Sequence, residues 1–486
     1  MPRVPKGART WLTPAAWVAA VSALLLLVFP LGFPNYDTIY ALVWGRELAH
    51  GQNPDYGAAL PPTPHPLADL LGLITTPIGD GALTVTMIVA YVSLALCGYL
   101  VYRLGTIWFD RGIGALAAAI ILTRAPFLSN GLRAYVDLPY IALCLGALTI
   151  EAKRPRAGWP VLALLALAGL LRPEAWGFSI AYWLYLCFWP TGRKPDGVSG
   201  NRPVGSWVWL GVLALAAPIL WIFFDAIATG EPLYSLTGTQ ATVETLDRHS
   251  GPIDVLLYGP RALGEVLQWP GMVGALAGVV LGWLYLRRRS ILGIAAAVLA
   301  LLAFAFLGAA GLAILARYTM LLAAILAIFV AVALLGWRLL EPGHPARRPW
   351  QVVAAIVALM FVIWLPNQWD LDSRVDTDLS SQARIESDLT DLVGAGAFDP
   401  LCGKIAVPNH RAVPRLAFGL DLKPTQIVSA SEEATPKRGY FVAPASPFVI
   451  HNFILDPNDP TKASFPPPAG FEEVTRNDSW IVYRRC

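Results

Sequence analysis

Long apolar segments recur through the first three quarters of the chain, and they constrain its fold more than any other feature. Each is close to the roughly 20 residues that a helix needs to cross a hydrocarbon core of about 30 Å. Of the 486 residues, 56% are hydrophobic and only 14% are charged, whereas soluble proteins average about 25% charged residues. The sequence therefore predicts an all-α polytopic membrane bundle and excludes an ordinary soluble domain.

Hydropathy predicts eleven transmembrane helices in this region. They lie near 12–32, 83–102, 112–130, 137–150, 158–171, 175–190, 207–228, 269–286, 291–310, 318–337 and 350–366. The first follows three basic residues, as a signal peptide would, but its apolar run is longer and no small-residue cleavage pattern follows it. We therefore interpret it as a retained span.

Arginine and lysine concentrate in alternate loops, which predicts the orientation. Short cytoplasmic loops carry an excess of these residues, and a cytoplasmic N-terminus places most of the basic residues before position 367 on that side. An odd number of spans then puts residues 367–486 outside. We expect a multi-pass protein of the plasma membrane with a transmembrane module at 1–366 and a small extracytoplasmic α/β domain at 367–486.

The segment after the last span mixes helical and β-rich patterns. Residues 367–382 are polar and acidic, as in a linker, and the next apolar residues follow a helical spacing that ends at Gly394. The predicted strands are KIAV, RLAF, YFVA, FVIHNFI and WIVYRR. Cys402 and Cys486 both fall on the oxidising side, and we expect them to form a disulfide. Two free thiols are the alternative.

Two long outer loops, 33–82 and 229–268, are expected to cover a site. In the first, the stretch TIYALVWGRELAHG predicts an amphipathic helix at the membrane surface. Its expected lipid-facing residues are Ile39, Leu42, Val43 and Trp44, and its expected water-facing residues are Arg46 and Glu47.

Charged residues gather near the outer ends of the spans rather than at their middles. They are Asp37, Arg133, Asp137, Arg172, Glu174 and Arg317, with Tyr135 between two of them. A carboxylate there can act as the general base that takes a proton from an acceptor hydroxyl. Arginine side chains match the geometry of phosphate. These residue types suit the transfer of a sugar from a lipid phosphate to a hydroxyl group.

The order of these motifs resembles the GT-C superfamily of membrane glycosyltransferases, which use polyprenyl-phosphate sugars. The motifs are NYD after the first span, an outer HP, YVDLPY before the fourth span, LLRPE after the fifth and RYTMLLAAIL opening a late span. The similarity covers most of residues 30–335 and includes the protein O-mannosyltransferase and aminoarabinose transferase relatives. Many O-mannosyltransferase-like members have Asp-Glu where this chain has Asp37-Thr38, which leaves the sugar and the acceptor open.

The resemblance implies roles for three residues. Asp37 would be the catalytic base, Asp137 would orient substrate or support a metal, and Arg317 would approach the donor phosphate. Each has a structural alternative: Asp37 as a cap of a helix starting at Thr38, Asp137 as a helix-start acid, and Arg317 as a residue that reaches toward lipid headgroups.

Other candidates come from the residues themselves. Arg172 is either a second phosphate contact or a partner of the neighbouring acids. Arg133, Tyr135, Glu174, His65 and Tyr234 are candidate substrate contacts. The alternatives are a polar loop histidine, a packed turn tyrosine and an ordinary helix start for Pro173-Glu174.

We therefore predict an inverting glycosyltransferase that acts on the outer face of the membrane. Its partners would be a polyprenyl-phosphate sugar donor, membrane lipids and a hydroxyl-bearing glycan, lipid or protein acceptor, with no nucleic acid. No cofactor is firmly implied, a divalent metal is possible and no metal-ligand spacing is evident. The rival hypotheses are a transporter or flippase of lipid-linked glycans, which tends to have midplane sites and repeated halves, and a non-catalytic envelope scaffold.

Overall fold

The structure is a computed structural model that describes residues 6–28, 32–189, 204–399, 401–453 and 461–486, without side chains for 6–13 and 204–206. Its α-helices are α1 (Lys6–Val28), α2 (Tyr36–Ala49), α3 (Pro66–Thr75), α4 (Gly81–Trp108), α5 (Arg111–Leu122), α6 (Ala125–Leu132), α7 (Asp137–Lys153), α8 (Trp159–Gly169), α9 (Glu174–Phe188), α10 (Val204–Thr229), α11 (Tyr234–Thr245), α12 (Pro252–Tyr285), α13 (Arg287–Ala309), α14 (Met320–Leu335), α15 (Arg347–Gly394), α16 (Val413–Gly419) and α17 (Pro447–Phe453). Its strands are β1 (Ile405–Val407), β2 (Ile427–Ser429), β3 (Gly439–Pro444), β4 (Glu472–Arg476) and β5 (Trp480–Arg485).

The helical part of the chain is an integral membrane bundle. Within the described ranges, six helices are long and apolar enough to cross a membrane, and a seventh span is counted if α5 and α6 cross together. These two helices are bent by 62° at their junction, so the predicted span at 112–130 is a broken one. Each of the eleven predicted segments overlaps a helix in its described part, residues 29–31 and 190 lying outside the described residues. However, α7, α8 and α9 have only 17, 11 and 15 residues.

α14 forms the centre of the bundle. Almost all of its residues are buried, from Met320 to Ala333, and it packs against α4, α5, α12, α13 and α15. The 3₁₀ turn that leads into α14, Ala316–Thr319, carries Arg317. The buried central helix therefore holds this arginine at the end of the bundle where the other polar residues converge.

The predicted polar loop at 229–268 is largely helical. It contains α11 and the first half of α12, which is interrupted at Gln268 by a non-helical conformation (φ 61°, ψ 167°). The predicted span at 269–286 is thus the second half of a longer, broken helix. The buried Gln268 side chain accepts hydrogen bonds from Arg124 Nη1 and Trp364 Nε1, and these bonds tie the break to two neighbouring segments.

The predicted linker at 367–382 is wrong, because α15 continues from Arg347 to Gly394 without leaving the helix. The polar residues of this stretch are compatible with an exposed helix, and Arg374 pairs with Asp370 one turn earlier. Leu379 still packs in the core of the helical bundle, and from Ile385 onward the buried apolar residues face the C-terminal region. The predicted helix end at Gly394 agrees with the structure.

The C-terminal region contains a five-stranded mixed sheet in the order β2-β1-β3-β5-β4. The first three strands are parallel, and β5 pairs antiparallel with β3 and β4. The predicted strands RLAF and FVIHNFI are wrong, since they form α16 and α17. Pro414 and Pro447 stand in the first turns of these helices, where proline is favoured. The small β2 and β4 were not predicted.

The predicted interfacial helix is α2, but its expected orientation is wrong. Val43 and Trp44 are in the apolar core of the C-terminal region, and Arg46 donates hydrogen bonds to the carbonyls of Ala417, Phe418 and Leu422. Glu47 is buried as well. A helix face that packs on protein has the same apolar pattern as a face that packs on lipid, so hydropathy alone does not distinguish them.

The other side of α2 lies directly against α3. A Cβ atom on Gly45 would collide with the backbone of Gly72, and one on Gly72 would collide with the Ala41 carbonyl. The two glycines therefore permit α2 and α3 to pack closely, while the opposite face of α2 packs on the sheet region. Elsewhere in the sheet region, Cys402 and Cys486 form a disulfide with an S–S distance of 2.02 Å.

Candidate functional site

Asp37 lies in the first turn of α2 and is not its cap. The helix begins at Tyr36, and the side chain of Asn35 accepts hydrogen bonds from the backbone N–H groups of Asp37 and Thr38. The capping alternative for Asp37 is therefore wrong, because Asn35 satisfies those donors. The Asp37 carboxylate is left to interact with other groups.

Hydrogen bonds fix the segment before Asp37 onto the segment before Asp137. Phe33 N donates to Leu132 O, and both the backbone N and the side-chain Nδ2 of Asn35 donate to Arg133 O. Thr38 Oγ1 donates to Ala134 O at 2.7 Å, which gives this threonine a structural role. These bonds bring the starts of α2 and α7 side by side.

Asp37 forms an ion pair with Arg317. The distance from Arg317 Nη1 to Asp37 Oδ2 is 3.2 Å, and the two side chains remain 24% and 19% exposed, respectively. An acid near the N-terminus is thus joined to an arginine 280 residues later in the chain. Both side chains are therefore partly exposed.

Asp137 and Glu174 share one arginine in a buried triad. Arg172 Nη1 lies 2.5 Å from Asp137 Oδ1, and Arg172 Nε lies 3.1 Å from Glu174 Oε1. All three side chains are at least nine-tenths buried. The triad matches the alternative in which Arg172 pairs with neighbouring acids, and its burial separates it from the accessible Asp37–Arg317 pair.

A stack of alternating arginine and tyrosine side chains joins the two ion-paired groups. Each guanidinium carbon lies between 4.2 and 5.6 Å from the next ring centre, within the range of cation–π attraction. In order, the members are Arg133, Tyr135, Arg317, Tyr318, Arg172 and Tyr140. The structure thus brings together the predicted residues Arg133, Tyr135, Asp137, Arg172, Glu174, Arg317 and Asp37 in one cluster.

His65 borders this cluster. Its Nδ1 atom is buried and has no hydrogen-bond partner among the described residues, and its ring meets the edge of Trp221 at 5.9 Å. Burial lowers the pKa of His65 to about 4, while Asp37 and Asp137 act to raise it and Arg172 and Arg317 act to lower it. His65 is therefore neutral at pH 7 and lies in the electrostatic field of all four groups.

Tyr234 does not join the cluster. It stacks on Tyr56 with ring centres 5.5 Å apart and donates a hydrogen bond to Tyr56 O. The nearby Glu231 is exposed. Tyr234 lines a cavity of about 230 Å³ between the first long loop and α11.

Among the described residues, no group of three or more His, Cys, Asp or Glu side chains is arranged to hold a metal ion. Asp37 and Asp137 each bind an arginine instead. The arrangement offers cationic and carboxylate groups for acid–base and phosphate chemistry.

Two features of the site were missed from sequence. Tyr140 packs on Arg172 and lies three residues after Asp137, so helical periodicity would have placed it on the same face. The α11 side of the cavity was also missed, although its small residues Gly238, Thr239 and Thr242 recur at helical spacing.

No family model and no curated protein sequence matches the chain. Two crystal structures of ArnT from Cupriavidus metallidurans, however, align over nearly its whole length. The structure bound to undecaprenyl phosphate has a TM-score of 0.56 at 14% identity and covers 97% of this chain and 98% of ArnT. The apo structure has a TM-score of 0.55 at 15% identity and covers 98% of each chain. The chain has a GT-C fold.

This GT-C fold confirms the predicted all-α membrane bundle with a small C-terminal α/β region. A further structure, the oligosaccharyltransferase AglB from Archaeoglobus fulgidus with an inhibitory peptide and a dolichol-phosphate, has a TM-score of 0.48 at 12% identity. It covers 86% of this chain and 65% of AglB. In the GT-C fold of this chain, the cluster lies where α2, α7, α9 and the start of α14 meet.

Proposed function

We propose that this chain transfers a hexose or pentose from a polyprenyl-phosphate donor to a hydroxyl acceptor, on the outer face of the plasma membrane. The observation that carries the proposal is the accessible Asp37–Arg317 ion pair beside the buried Asp137–Arg172–Glu174 triad. The fold supports it, since the ArnT structure of this fold is bound to undecaprenyl phosphate. A general base and a phosphate-binding cation are the two groups that the reaction requires.

The reaction is a single displacement at the anomeric carbon. The acceptor oxygen forms a bond to C1 of the sugar, the bond from C1 to the phosphate oxygen breaks, and the configuration at C1 inverts. The acceptor proton passes to the Asp37 carboxylate, which acts as the base. The bonding electrons leave with the polyprenyl phosphate, whose added negative charge Arg317 stabilises.

The pairing of Asp37 with Arg317 suggests an order of binding. Without substrate, the carboxylate is occupied by the guanidinium at 3.2 Å. A donor phosphate that binds Arg317 competes with Asp37 for it, because arginine forms strong hydrogen bonds with phosphate oxygens. Donor binding therefore releases the carboxylate for the acceptor hydroxyl.

The buried triad has a supporting role in this proposal. Arg172 is shielded from substrate by burial and pairs with one oxygen of each of two carboxylates, so it positions Tyr318 and Arg317 rather than contacting the donor. The half-buried ring of His65 would border the substrate, although its Nδ1 atom is itself buried. Arg133 and Tyr135 would extend the cationic surface for the phosphate.

The test compares Asp37→Asn with Asp80→Asn in membranes supplied with radiolabelled polyprenyl-phosphate mannose, glucose or arabinose. Asp80 is an exposed acid near the end of the same loop, so it controls for the loss of one charge. We expect Asp37→Asn to lower the transfer of label about 10²- to 10⁴-fold, the usual contribution of a general base, and Asp80→Asn to retain the wild-type rate.

The outcomes separate the rival hypotheses. Wild-type transfer by Asp37→Asn would remove the proposed role of this residue. Movement of the intact labelled lipid across the membrane, with no cleavage of the sugar, would indicate a transporter. If the wild-type protein neither cleaves the sugar from the lipid nor moves the lipid across the membrane, the result would indicate a non-catalytic scaffold.

A further inference from the structure

The cavity that Tyr234 lines lies outside the charged cluster. It has a volume of about 230 Å³ and is bounded by residues 56–64 of the first long loop and by one face of α11. This volume is below the 300–1,000 Å³ or so of sites for drug-sized ligands. The cavity therefore suits a small unit such as one sugar ring.

The cavity shares a wall with the proposed catalytic centre. Tyr36, next to Asp37, donates its hydroxyl hydrogen to the carbonyl of Leu60, which lines the cavity. The same short segment continues to Pro64, also in the lining, and then to His65 at the charged cluster. A ligand in the cavity would therefore contact residues that are linked to Asp37 through the Tyr36–Leu60 hydrogen bond.

The polar groups of the lining are hydroxyls. No charged side chain is among the described residues that line the cavity. Thr239, Thr242 and Thr245 each donate their hydroxyl hydrogen to the carbonyl four residues earlier in α11. The Thr239 oxygen is also hydrogen-bonded to the Thr63 hydroxyl. The lone pairs of Thr242 and Thr245 can accept hydrogen bonds, which favours a ligand that donates them.

Two buried acids lie behind the wall of the cavity. Asp69 and Asp225 are both buried and act electrostatically on Tyr56, a lining residue. Asp225 accepts hydrogen bonds from the backbone and hydroxyl of Ser235, but neither carboxylate oxygen of Asp69 has a partner within the described part of the chain. Among the described residues of the lining there is no cationic side chain to pair with a phosphate or carboxylate ligand.

We infer that the cavity between residues 56–64 and α11 binds a neutral sugar of the acceptor, so that the acceptor is a glycan. This inference rests on the proposed function, because the bound sugar is an acceptor only if the chain transfers sugars. Sugar hydroxyls supply the hydrogen-bond donors that the threonine oxygens can accept. The half-buried Tyr234 ring offers an aromatic surface beside them. A phosphorylated lipid headgroup or an acidic peptide would bring negative charge to a lining that has no cationic side chain among its described residues.

Gly238 provides a variant that fills the cavity without disturbing the backbone. A Cβ atom at this position would meet only the Tyr234 ring, at an ordinary 3.9 Å. Gly238→Phe therefore places a ring in the cavity, and it replaces a residue that disfavours helix. Thr237→Phe is the matched control, because Thr237 is the neighbouring exposed residue and does not line the cavity. Gly238→Ala should leave most of the space open.

The experiment uses the full chain in detergent and two readouts. Saturation-transfer NMR measures binding of the methyl glycosides of mannose, glucose, galactose and arabinose, with glucosamine 6-phosphate and a serine-containing peptide as competing classes of probe. Radiolabelled polyprenyl-phosphate sugar measures transfer to the same compounds. We expect a neutral glycoside to bind the wild type, Thr237→Phe and Gly238→Ala. We expect Gly238→Phe to abolish the signal and raise the acceptor KM at least tenfold.

The two proposals fail separately. Wild-type binding and KM in Gly238→Phe, stronger binding of the phosphorylated sugar or the peptide, or no binding of any glycoside would overturn the glycan inference. If glycosides bind and Gly238→Phe blocks them, yet the wild type never cleaves a donor, the transferase proposal falls and the saccharide site remains. If the wild type cleaves the donor and Gly238→Phe transfers sugar at the same rate, the transferase proposal remains and the saccharide site falls.

Discussion

The guanidinium of Arg172 lies 4.2 Å from the centre of the Tyr318 ring. The other neighbour of this ring is Arg317, at 5.2 Å, so one tyrosine joins the buried triad to the accessible ion pair. The two arginines come from segments far apart in sequence and have different surroundings. Their predicted roles differ accordingly, and substitutions can tell them apart.

Replacement of Arg317 by alanine should weaken donor binding. A hydrogen bond to a charged group contributes about 1.5–3 kcal/mol, so we expect the KM for the polyprenyl-phosphate sugar to rise roughly 10- to 150-fold. Arg261→Ala is the control, since Arg261 is exposed and pairs only with the exposed Glu265. Steady-state kinetics with varied donor measures the effect. An unchanged donor KM in Arg317→Ala would contradict the proposed phosphate contact.

Replacement of Arg172 by methionine should destabilise the protein. It leaves two buried carboxylates without a cation, which costs about 3–5 kcal/mol, whereas Arg374→Met removes an exposed pair and should cost less than about 1 kcal/mol. Thermal unfolding in detergent measures both. Adding Asp137→Asn and Glu174→Gln to Arg172→Met should restore part of the loss. Additive losses would argue against a coupled triad.

Stability should fall as the pH rises, because of Glu47. Burial raises the pKa of Glu47 from its ordinary value of 4.5 to about 7, although its Oε2 accepts a hydrogen bond from Asp55 N. The folded state therefore keeps a proton that the unfolded state releases above about pH 4.5. The stabilisation is complete below that pH and is lost as the pH passes about 7.

The measurement is the melting temperature between pH 4 and 8. Glu47→Gln should reduce the pH dependence and melt at a higher temperature than the wild type at pH 8. Glu231→Gln is the control, since Glu231 is exposed. The same slope in Glu47→Gln as in the wild type would show that other groups control it.

The disulfide closes most of the C-terminal region into one loop. Cys402 and Cys486 are 84 residues apart, and loss of such a bridge typically costs about 2–5 kcal/mol. We expect Cys402→Ser to lower the melting temperature, and Cys187→Ser, at a free and half-buried thiol, to leave it unchanged. Alkylation followed by mass spectrometry should label Cys402 and Cys486 only after reduction. Labelling without a reductant would contradict the bridge.

The helical bundle could be predicted from sequence because hydropathy depends on local composition. The polar cluster could be anticipated for a related reason: charged residues at span ends reach similar depths in the membrane. Which acid pairs with which arginine could not be predicted, since Asp37–Arg317 and Asp137–Arg172 depend on how helices distant in sequence pack. The enclosure of Arg172 is likewise a result of tertiary packing.

The errors in the sequence interpretation have physical causes. α2 looked like a lipid-facing helix because burial against a sheet region requires the same apolar face. The acidic part of α15 looked like a linker because an exposed helix needs few apolar residues. The β-rich appearance of α16 and α17 came from their Phe, Val and Ile content, although the proline in the first turn of each favours a helix start.

The hydrogen bonds between residues 33–38 and 132–134 have a consequence for sequence divergence. On the 132–134 side, every acceptor is a main-chain carbonyl. Substitutions there can accumulate without shifting one acid relative to the other, provided that position 134 tolerates its positive φ of 53°. Two proteins of this fold could lose nearly all recognisable sequence similarity in this segment and still hold their carboxylates at the same spacing.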